Sequence, residues 1–459
     1  MRVENSRQLA FEWGAAGEAE STPSERPMPP PAPNREGALA QGLMEAIVAA
    51  ENMRQAVQRV RENKGSPGVD GMTVDELPDH LKAAWPRLKQ SLLEGTYVPQ
   101  PVRRVEIPKP DGGTRQLGIS SVVDRVIQQA ILQVLSPLYD PTFSESSHGF
   151  RPKRSAHQAL KQAREHVGDG NVWVVDIDLE AFFDRVNHDI LMGRLARRIG
   201  DKQLLRLIRR YLQAGIMING VVMDRQEGTP QGGPLSPLLA NVLLDELDRE
   251  LERRGHKFCR YADDCNIYVR SQRAGERVMK SVSRFVEKKL RLKVNRAKSK
   301  VDRVSKRDFL GFRILNGGET QLRIASERLK RFKDRVRRIT GRNRGVSLGT
   351  VLEELGRYTD GWLGYYWVTQ TPWLFKNLDG WMRRRIRCFL WIQWKTAKNR
   401  TRHLLAAGVR RALACGLPYA GGPWKLAATT AMHVALPNDK LHGLGFHSLH
   451  LRYQALASL

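Results

Sequence analysis

Phe258-Cys259-Arg260-Tyr261-Ala262-Asp263-Asp264-Cys265-Asn266-Ile267-Tyr268-Val269 sets two adjacent aspartates between two short runs of strand-forming residues. Asp is depleted in strands, and like charges side by side repel. A hairpin tip tolerates the pair, and a solvated turn is the plain reading of an isolated Asp-Asp. A second stretch changes that reading. Val174-Val175-Asp176-Ile177-Asp178-Leu179-Glu180-Ala181-Phe182-Phe183-Asp184 puts carboxylates at the end of the other strong strand run, 172–177. A strand end beside a hairpin tip lets carboxylates distant in the chain converge on one point. Converging carboxylates repel unless hard cations lie between them. Mg²⁺ fits that role because it takes oxygen ligands and is usually shared with substrate phosphates. Two such ions about 3.5–4 Å apart clamp the attacking and leaving oxygens of an in-line displacement at phosphorus.

Composition supplies the matching substrate. The chain has 459 residues and a mass of 52.1 kDa, enough for two to four domains. Lys and Arg number 76 against 48 Asp and Glu, a net charge of +28 with a pI near 10.3. That balance argues against an ordinary neutral metabolic enzyme and asks for a polyanion, either nucleic acid or an anionic membrane surface. A membrane is disfavoured, since no run approaches the roughly 20 apolar residues of a spanning helix. Nor does the N-terminus carry a basic-then-apolar signal, and its glutamates argue against a transit peptide. The four cysteines (259, 265, 388, 415) make neither a disulfide scaffold nor a CxxC pair. A reducing, intracellular setting is expected. Carboxylates and basic composition together point to phosphoryl transfer on nucleic acid.

Outward from the two acidic stretches, the chain divides into three. Residues 1–40 carry four Arg and six Glu, with six prolines in the 13 residues 21–33. That composition reads as a disordered, Pro-rich arm. Residues 41–320 mix helix and strand signals. Helical periodicity begins near Leu43 and ends at the Gly65-Ser66-Pro67-Gly68 turn, and 102–107 reads as a strand before a hairpin turn at 109–113. Residues 122–135 read as a buried helix, and 274–290 carries Val278, Val282, Phe285, Val286 and Leu290 on one helical face. Residues 321–459 read as mostly helical, beyond a boundary at Asn316-Gly317-Gly318. Within them, 321–415 hold 22 Lys and Arg against six acidic residues. The predicted class is therefore α+β followed by a helical region.

Tyr261-Ala262-Asp263-Asp264 resembles the signature of reverse transcriptases, and the surrounding blocks occur in that family's order. Lys64-Gly65-Ser66-Pro67-Gly68-Val69-Asp70-Gly71 resembles its N-terminal extension. Ile107-Pro108-Lys109-Pro110-Asp111-Gly112-Gly113-Thr114-Arg115 resembles its fingers hairpin. Ser147-His148-Gly149-Phe150-Arg151-Pro152, the Asp178 segment and Gly228-Thr229-Pro230-Gln231-Gly232-Gly233-Pro234-Leu235-Ser236-Pro237 follow. Asn295-Arg296-Ala297-Lys298-Ser299-Lys300 and Phe309-Leu310-Gly311-Phe312 close the series. The resemblance is strongest to reverse transcriptases encoded by bacterial group II introns, and it covers nearly everything from residue 43 onward.

It implies a right-hand arrangement, with fingers and an antiparallel palm sheet in 41–320 and a helical thumb and maturase domain in 321–459. Asp178 and Asp263 would hold two Mg²⁺ ions, with Asp264 the third carboxylate. Asp176 competes with Asp178; the family's metal-binding Asp lies five residues before a bulky aromatic, here Phe183, which favours Asp178. Asp176 and Asp184 are then assigned structural roles. Phe183 would be the steric gate against a ribonucleotide's 2′-OH, with Phe182 in the core; simple core packing is the alternative for both rings. Lys109 and Arg115 would hold the incoming triphosphate. Gln231, in a loop with three Pro and two Gly over 229–237, would line the nucleotide pocket, with a tight turn as the alternative. Lys298 would sit near the departing pyrophosphate, with Lys293 and Lys300 close by. Arg151 and Arg154 would contact the template, although a solvated helix start suits Arg154 equally.

Tyr358, Trp362, Tyr365 and Tyr366 fall on one helical face and read as core of the thumb rather than a base-stacking platform. Arg383, Arg384, Arg385 and Arg387, set among Trp381, Trp391 and Trp394, form a cationic stretch suited to RNA, with binding that weakens steeply in salt. No Cys/His-rich endonuclease cluster follows, so the resemblance is closest to compact relatives, for which insertion would need an available 3′ end. The expected function is RNA-directed DNA polymerisation together with binding of the parent intron RNA, aiding splicing and target-primed retromobility. The partners are intron RNA, an RNA template, a DNA primer, dNTPs and target DNA, with no membrane, in a bacterial cytoplasmic, nucleoid-associated ribonucleoprotein. Two other readings remain open: a splicing cofactor with an unused polymerase site, and a domesticated enzyme of host defence or repair.

Overall fold

The computed structural model describes residues 40–108, 114–218, 221–223, 227–229 and 232–458; the side chains of residues 115, 218 and 221 lie outside the description. The Pro-rich arm through residue 39 and the fingers-hairpin turn at 109–113 also fall outside it. Two compact units interleave along the chain. The first comprises residues up to Ser155, Val175–Ile267 and Glu276–Lys300, and the second comprises Ala156–Val174, Tyr268–Gly275 and Val301–Leu459.

In the first unit the run at 122–135 does form a buried helix, extended to Tyr139. Ser121 begins it by accepting the Asp124 N–H with its Oγ, and Val126, Ile127, Ala130, Ile131 and Leu135 are fully shielded from solvent. The expected strand before the hairpin turn is Val102–Pro108, which pairs antiparallel with Thr114–Ile119, from Arg103 opposite Ile119 to Pro108 opposite Thr114. This ribbon continues through a short parallel pairing with Ile216–Ile218, which turns back antiparallel as Val221–Met223. Those last two strands have three residues each, too short for an alternating pattern to mark them in the sequence.

A second four-stranded sheet joins both acidic stretches. Its order is Lys257–Tyr261, Asp264–Val269, Trp173–Ile177, Lys300–Arg303. β-Branched and aromatic residues make these strands, and both of their faces are largely buried: Val174, Val175 and Ile177 in one, Phe258, Cys259, Cys265 and Ile267 in the other two. The amphipathic stretch at 274–290 is helical over Gln272–Phe285. It then widens into a π-helical turn, Val286–Leu290, that ends at Arg291 in the left-handed region. Val278, Val282, Val286 and Leu290 are buried, as their spacing predicts, while Phe285 is half-buried beneath the Arg254 guanidinium.

The second unit carries a three-stranded sheet, Asp308–Phe309, Phe312–Gly317 and Glu319–Ile324, followed by long helices Ser326–Ile339, Leu348–Tyr366 and Pro372–Gln393 and by shorter ones to Leu449–Ala457. The aromatic stripe on Leu348–Tyr366 is packed, not displayed. Trp362 lies 4.3 Å from the Phe332 ring and 4.7 Å from Tyr366, and Tyr366 lies 5.1 Å from Phe312. Aromatic pairs at these spacings add to the burial of their large apolar area. Among the described residues no helix is long and apolar enough to cross a membrane.

Candidate active site

Ala262 and Asp263 alone form the turn between strands Lys257–Tyr261 and Asp264–Val269. Two-residue hairpin turns that match strand twist need a positive φ, and Ala262 adopts φ 58°. The adjacent aspartates therefore stand at a hairpin tip. Beside that hairpin lies strand Trp173–Ile177, which carries Asp176, with Asp178 just past its end. Asp178 is held by its main chain: its N–H donates to Ser299 Oγ at 3.0 Å, and its carbonyl accepts from Asn295 N–H at 2.9 Å. The 295–299 turn thus both anchors Asp178 and carries Lys298, whose N–H donates to the Asn295 carbonyl at 3.2 Å.

The electrostatics record the convergence. Asp264 is accessible on the surface yet sits in a crowded, acidic surround, and its pKa is raised to about 6. Partial desolvation is the largest cause, followed by repulsion from Asp263, Asp176 and Asp178 in that order. The carboxylates of Asp263, Asp176 and Asp178 therefore lie within electrostatic reach of Asp264. Asp176, assigned a structural role from its spacing, is felt by Asp264 ahead of Asp178. Among the described residues no three His, Cys, Asp or Glu side chains are gathered closely enough to hold a metal ion as they stand. The donors themselves are all carboxylate oxygens, the ligand type of a hard divalent cation, and their mutual repulsion is what such a cation relieves.

Beneath the hairpin tip is a network that the sequence reading did not single out. Arg260 is completely buried and uses all five of its N–H donors. Nε and Nη2 grip Asp248 at 2.7 and 2.6 Å, Nη1 donates to Asn241 Oδ1 at 2.9 Å and to the Ala262 carbonyl at 2.8 Å, and Nη2 also donates to Ser147 Oγ at 2.7 Å. Asn241 Nδ2 donates in turn to the Gly149 carbonyl at 2.9 Å. Gly149 lies flat against the tip, where a Cβ would come 2.2 Å from Ala262 N. One signal was readable: Asp248 falls in the apolar stripe Leu244, Leu247, Leu251 of helix Ser236–Arg253, and a buried acid requires a cation.

Phe182 is core, 2% exposed, and Phe183 is half-buried with its ring edge-on to Phe182 at 5.0 Å. The short helical turn Phe182–Asp184 is pinned from outside, as Thr229 N–H donates to the Phe183 carbonyl at 2.6 Å and Gly228 N–H to that of Val186 at 2.8 Å. Gly228 has φ 90°, and a Cβ there would fall 2.8 Å from the Asp184 carbonyl. Residues 228 and 229 are thereby tied to the Phe183 turn. Gln231 and Lys109 themselves lie outside the described residues, and Arg115 is described only through its backbone, opposite Ile107. Of the three lysines near the 295–300 turn, Lys293 is engaged with Glu180 at 3.0 Å, which lowers the Glu180 pKa.

Several arginines expected on nucleic acid are spent inside the protein. Arg151 is 7% exposed; its guanidinium bonds Asp140 Oδ1 at 2.7 Å and the carbonyls of Asp140, Ser144 and Ser147, so four of its five N–H donors are spent bracing this loop. Arg154 pairs with Glu145. Arg387 is 2% exposed and donates to the Leu436 carbonyl and Asn438 Oδ1, so its guanidinium is turned into the protein rather than toward solvent. Arg384 donates twice to the Trp424 carbonyl and lies 4.2 Å over the Trp424 ring, and Arg385 donates to Thr340 Oγ1 at 2.6 Å. Arg383 is half-buried. Helical periodicity explains the split: four arginines within five residues spread over more than half the circumference of Pro372–Gln393, so they cannot all share its outer face.

The chain can now be set beside known proteins. Residues 107–314 match the family described as Reverse transcriptase (RNA-dependent DNA polymerase), and residues 329–408 match the Group II intron, maturase-specific domain. Protein YkfC of Escherichia coli (strain K12) is 34% identical over 316 residues, 60% of this chain and 83% of that protein. Group II intron-encoded protein LtrA of Lactococcus lactis subsp. cremoris is 40% identical over 206 residues, 45% of this chain but only 34% of LtrA. Among solved structures, a chain of the partial Cas6-RT-Cas1–Cas2 complex is 28% identical, covering 54% of this chain and 43% of its own length with a TM-score of 0.36. Paired aspartates at a hairpin tip beside an acidic strand end, within the matched polymerase region and followed by the matched maturase region, place this α+β chain among the group II intron reverse transcriptase/maturases.

Proposed function

We propose that Asp178, Asp263 and Asp264, with Asp176 in the same acidic cluster, form the centre at which this reverse transcriptase extends a DNA primer on an RNA template. The observation that carries the reading is the hairpin tip bearing Asp263 and Asp264 set beside the strand that carries Asp176 and ends at Asp178, whose carboxylates also raise the Asp264 pKa. Two Mg²⁺ ions held by Asp178 and Asp263 would supply positive charge opposite the phosphates. The chain's own work is positional: the hairpin tip and strand end hold the acidic side chains, and the pinned Phe183 turn presents a flat ring to the sugar of the incoming dNTP. In the reaction, the primer 3′-OH attacks the α-phosphorus and pyrophosphate departs. Lys109, Arg115, Gln231 and Lys298 take the nucleotide-binding roles that the family resemblance implies. The basic second unit binds RNA, and its partner is the parent intron RNA, whose splicing and insertion into target DNA it assists in the cytoplasm.

The test is primer extension with Mg²⁺ on an RNA template, run beside a splicing assay with the neighbouring intron RNA. Asp263→Ala should abolish extension, a loss of at least 10³-fold for a residue holding charge at the reacting phosphate, while splicing assistance persists. Full extension by Asp263→Ala would refute the site.

A further inference from the structure

We propose that Arg260 is the positioning residue of the carboxylate centre: its guanidinium, clamped by Asp248, fixes the peptide that joins Ala262 to Asp263 and so aims the Asp263 side chain. The inference rests on the reading of Asp263 as a catalytic carboxylate and adds to it the part that sets its direction.

Three observations carry it. Ala262 is held at φ 58°, a left-handed conformation that L side chains adopt only under constraint, so something must hold the tip in that form. The Ala262 carbonyl, which accepts from Arg260 Nη1 at 2.8 Å, belongs to the same planar unit as the Asp263 N–H. Fixing that oxygen therefore fixes the plane from which Asp263 departs. Finally, the clamp reaches the tip from both sides, because the Asn241 side chain bonds Arg260 through Oδ1 and the Gly149 carbonyl through Nδ2, and Gly149 lies against Ala262.

The choice of a charged residue here needs explaining. Arg260 and Asp248 are both 0% exposed, and a buried ion pair is often no more stabilising than well-packed apolar residues of the same volume. A guanidinium, however, offers five donors in one rigid plane, and here they meet acceptors on three elements: the helix at 241 and 248, the loop at 147 and the turn at 262. No apolar side chain could tie those elements to the turn's carbonyl. Lysine keeps the charge opposite Asp248 but has three donors on a flexible stem, and cannot reach all of these acceptors at once.

The experiment uses the full chain. Arg260→Lys is compared with wild type by hydrogen–deuterium exchange over residues 258–266 without metal, by Mn²⁺ binding followed by electron paramagnetic resonance, and by primer extension. The expected result is exchange at the tip at least tenfold faster, Mn²⁺ binding about tenfold weaker, and kcat about tenfold lower with the KM for dNTP within twofold. Should Arg260→Lys not fold, Asn241→Ala, which leaves the Arg260–Asp248 pair intact, must show the same changes in smaller measure. Wild-type exchange and Mn²⁺ binding in a folded variant would overturn the inference. Asp263→Asn is measured in parallel. If it alone loses Mn²⁺, the positioning role fails while the carboxylate assignment stands; if neither variant loses Mn²⁺, both fail.

Discussion

Replacing Asp264 by Asn should make the metal-free protein more stable while destroying its activity. The Asp264 carboxyl has its pKa raised from 3.8 to about 6 because its ionised form is partly desolvated and repelled by Asp263, Asp176 and Asp178. The folded chain therefore binds a proton more tightly than the unfolded one between pH 4 and 6. Stability from this group is fully present below about pH 4 and is lost as pH rises through about 6. A displacement of about two pH units corresponds to about 3 kcal/mol, which solvent access to the carboxyl reduces to about 1 kcal/mol. In a chain of this length that moves the melting midpoint by roughly 2 °C. The assay is thermal unfolding of wild type and Asp264→Asn in EDTA at pH 4, 5, 6 and 7.5. The two midpoints should coincide at pH 4 and separate between pH 4 and 6, with the variant higher at pH 7.5. Added Mg²⁺ should then raise wild type more than the variant, since only the full set of carboxylates rewards the cation. Equal midpoints at every pH, or a variant less stable than wild type at pH 7.5, would refute the reasoning.

The same geometry makes further predictions. Gly149→Ala puts a methyl 2.2 Å from Ala262 N, so the hairpin tip must move; primer extension should fall at least tenfold, and a variant with wild-type kcat would show that the contact does not govern the site. Phe183→Ala should raise ribonucleotide incorporation and, because the ring is half-buried against Phe182, lower stability by about 2 kcal/mol; unchanged sugar selectivity on competing nucleotides would remove its gate role. Arg387→Met should lower stability by about 2 kcal/mol through its lost bonds to Leu436 and Asn438, yet leave the RNA affinity of the folded protein within twofold. A tenfold affinity loss without a change in melting would put Arg387 back on the RNA surface.

Much of the polymerase region was legible in the residues themselves because its signals are local. Two strand-forming runs, each interrupted or ended by Asp, could only be a turn and a strand end, and both strands and the turn stand where that pattern puts them. The aromatic stripe at 358, 362, 365 and 366 was likewise readable as core, since four rings on one helical face bury more area than any surface role would leave exposed. What only the tertiary structure decided was which charges meet which partners. Asp176 and Asp178 differ by a single strand alternation, and their weights at Asp264 depend on how the strand lies beside the hairpin. Arg151 and Arg387 read as nucleic-acid contacts and Arg260 as an unremarked cation of a +28 chain, yet each is buried against acceptors within the protein, at separations of up to 113 residues for Arg260 and Ser147. Periodicity records which face of an element turns inward; it carries no information on what waits there, and for a buried charge the partner is the whole of the energetics.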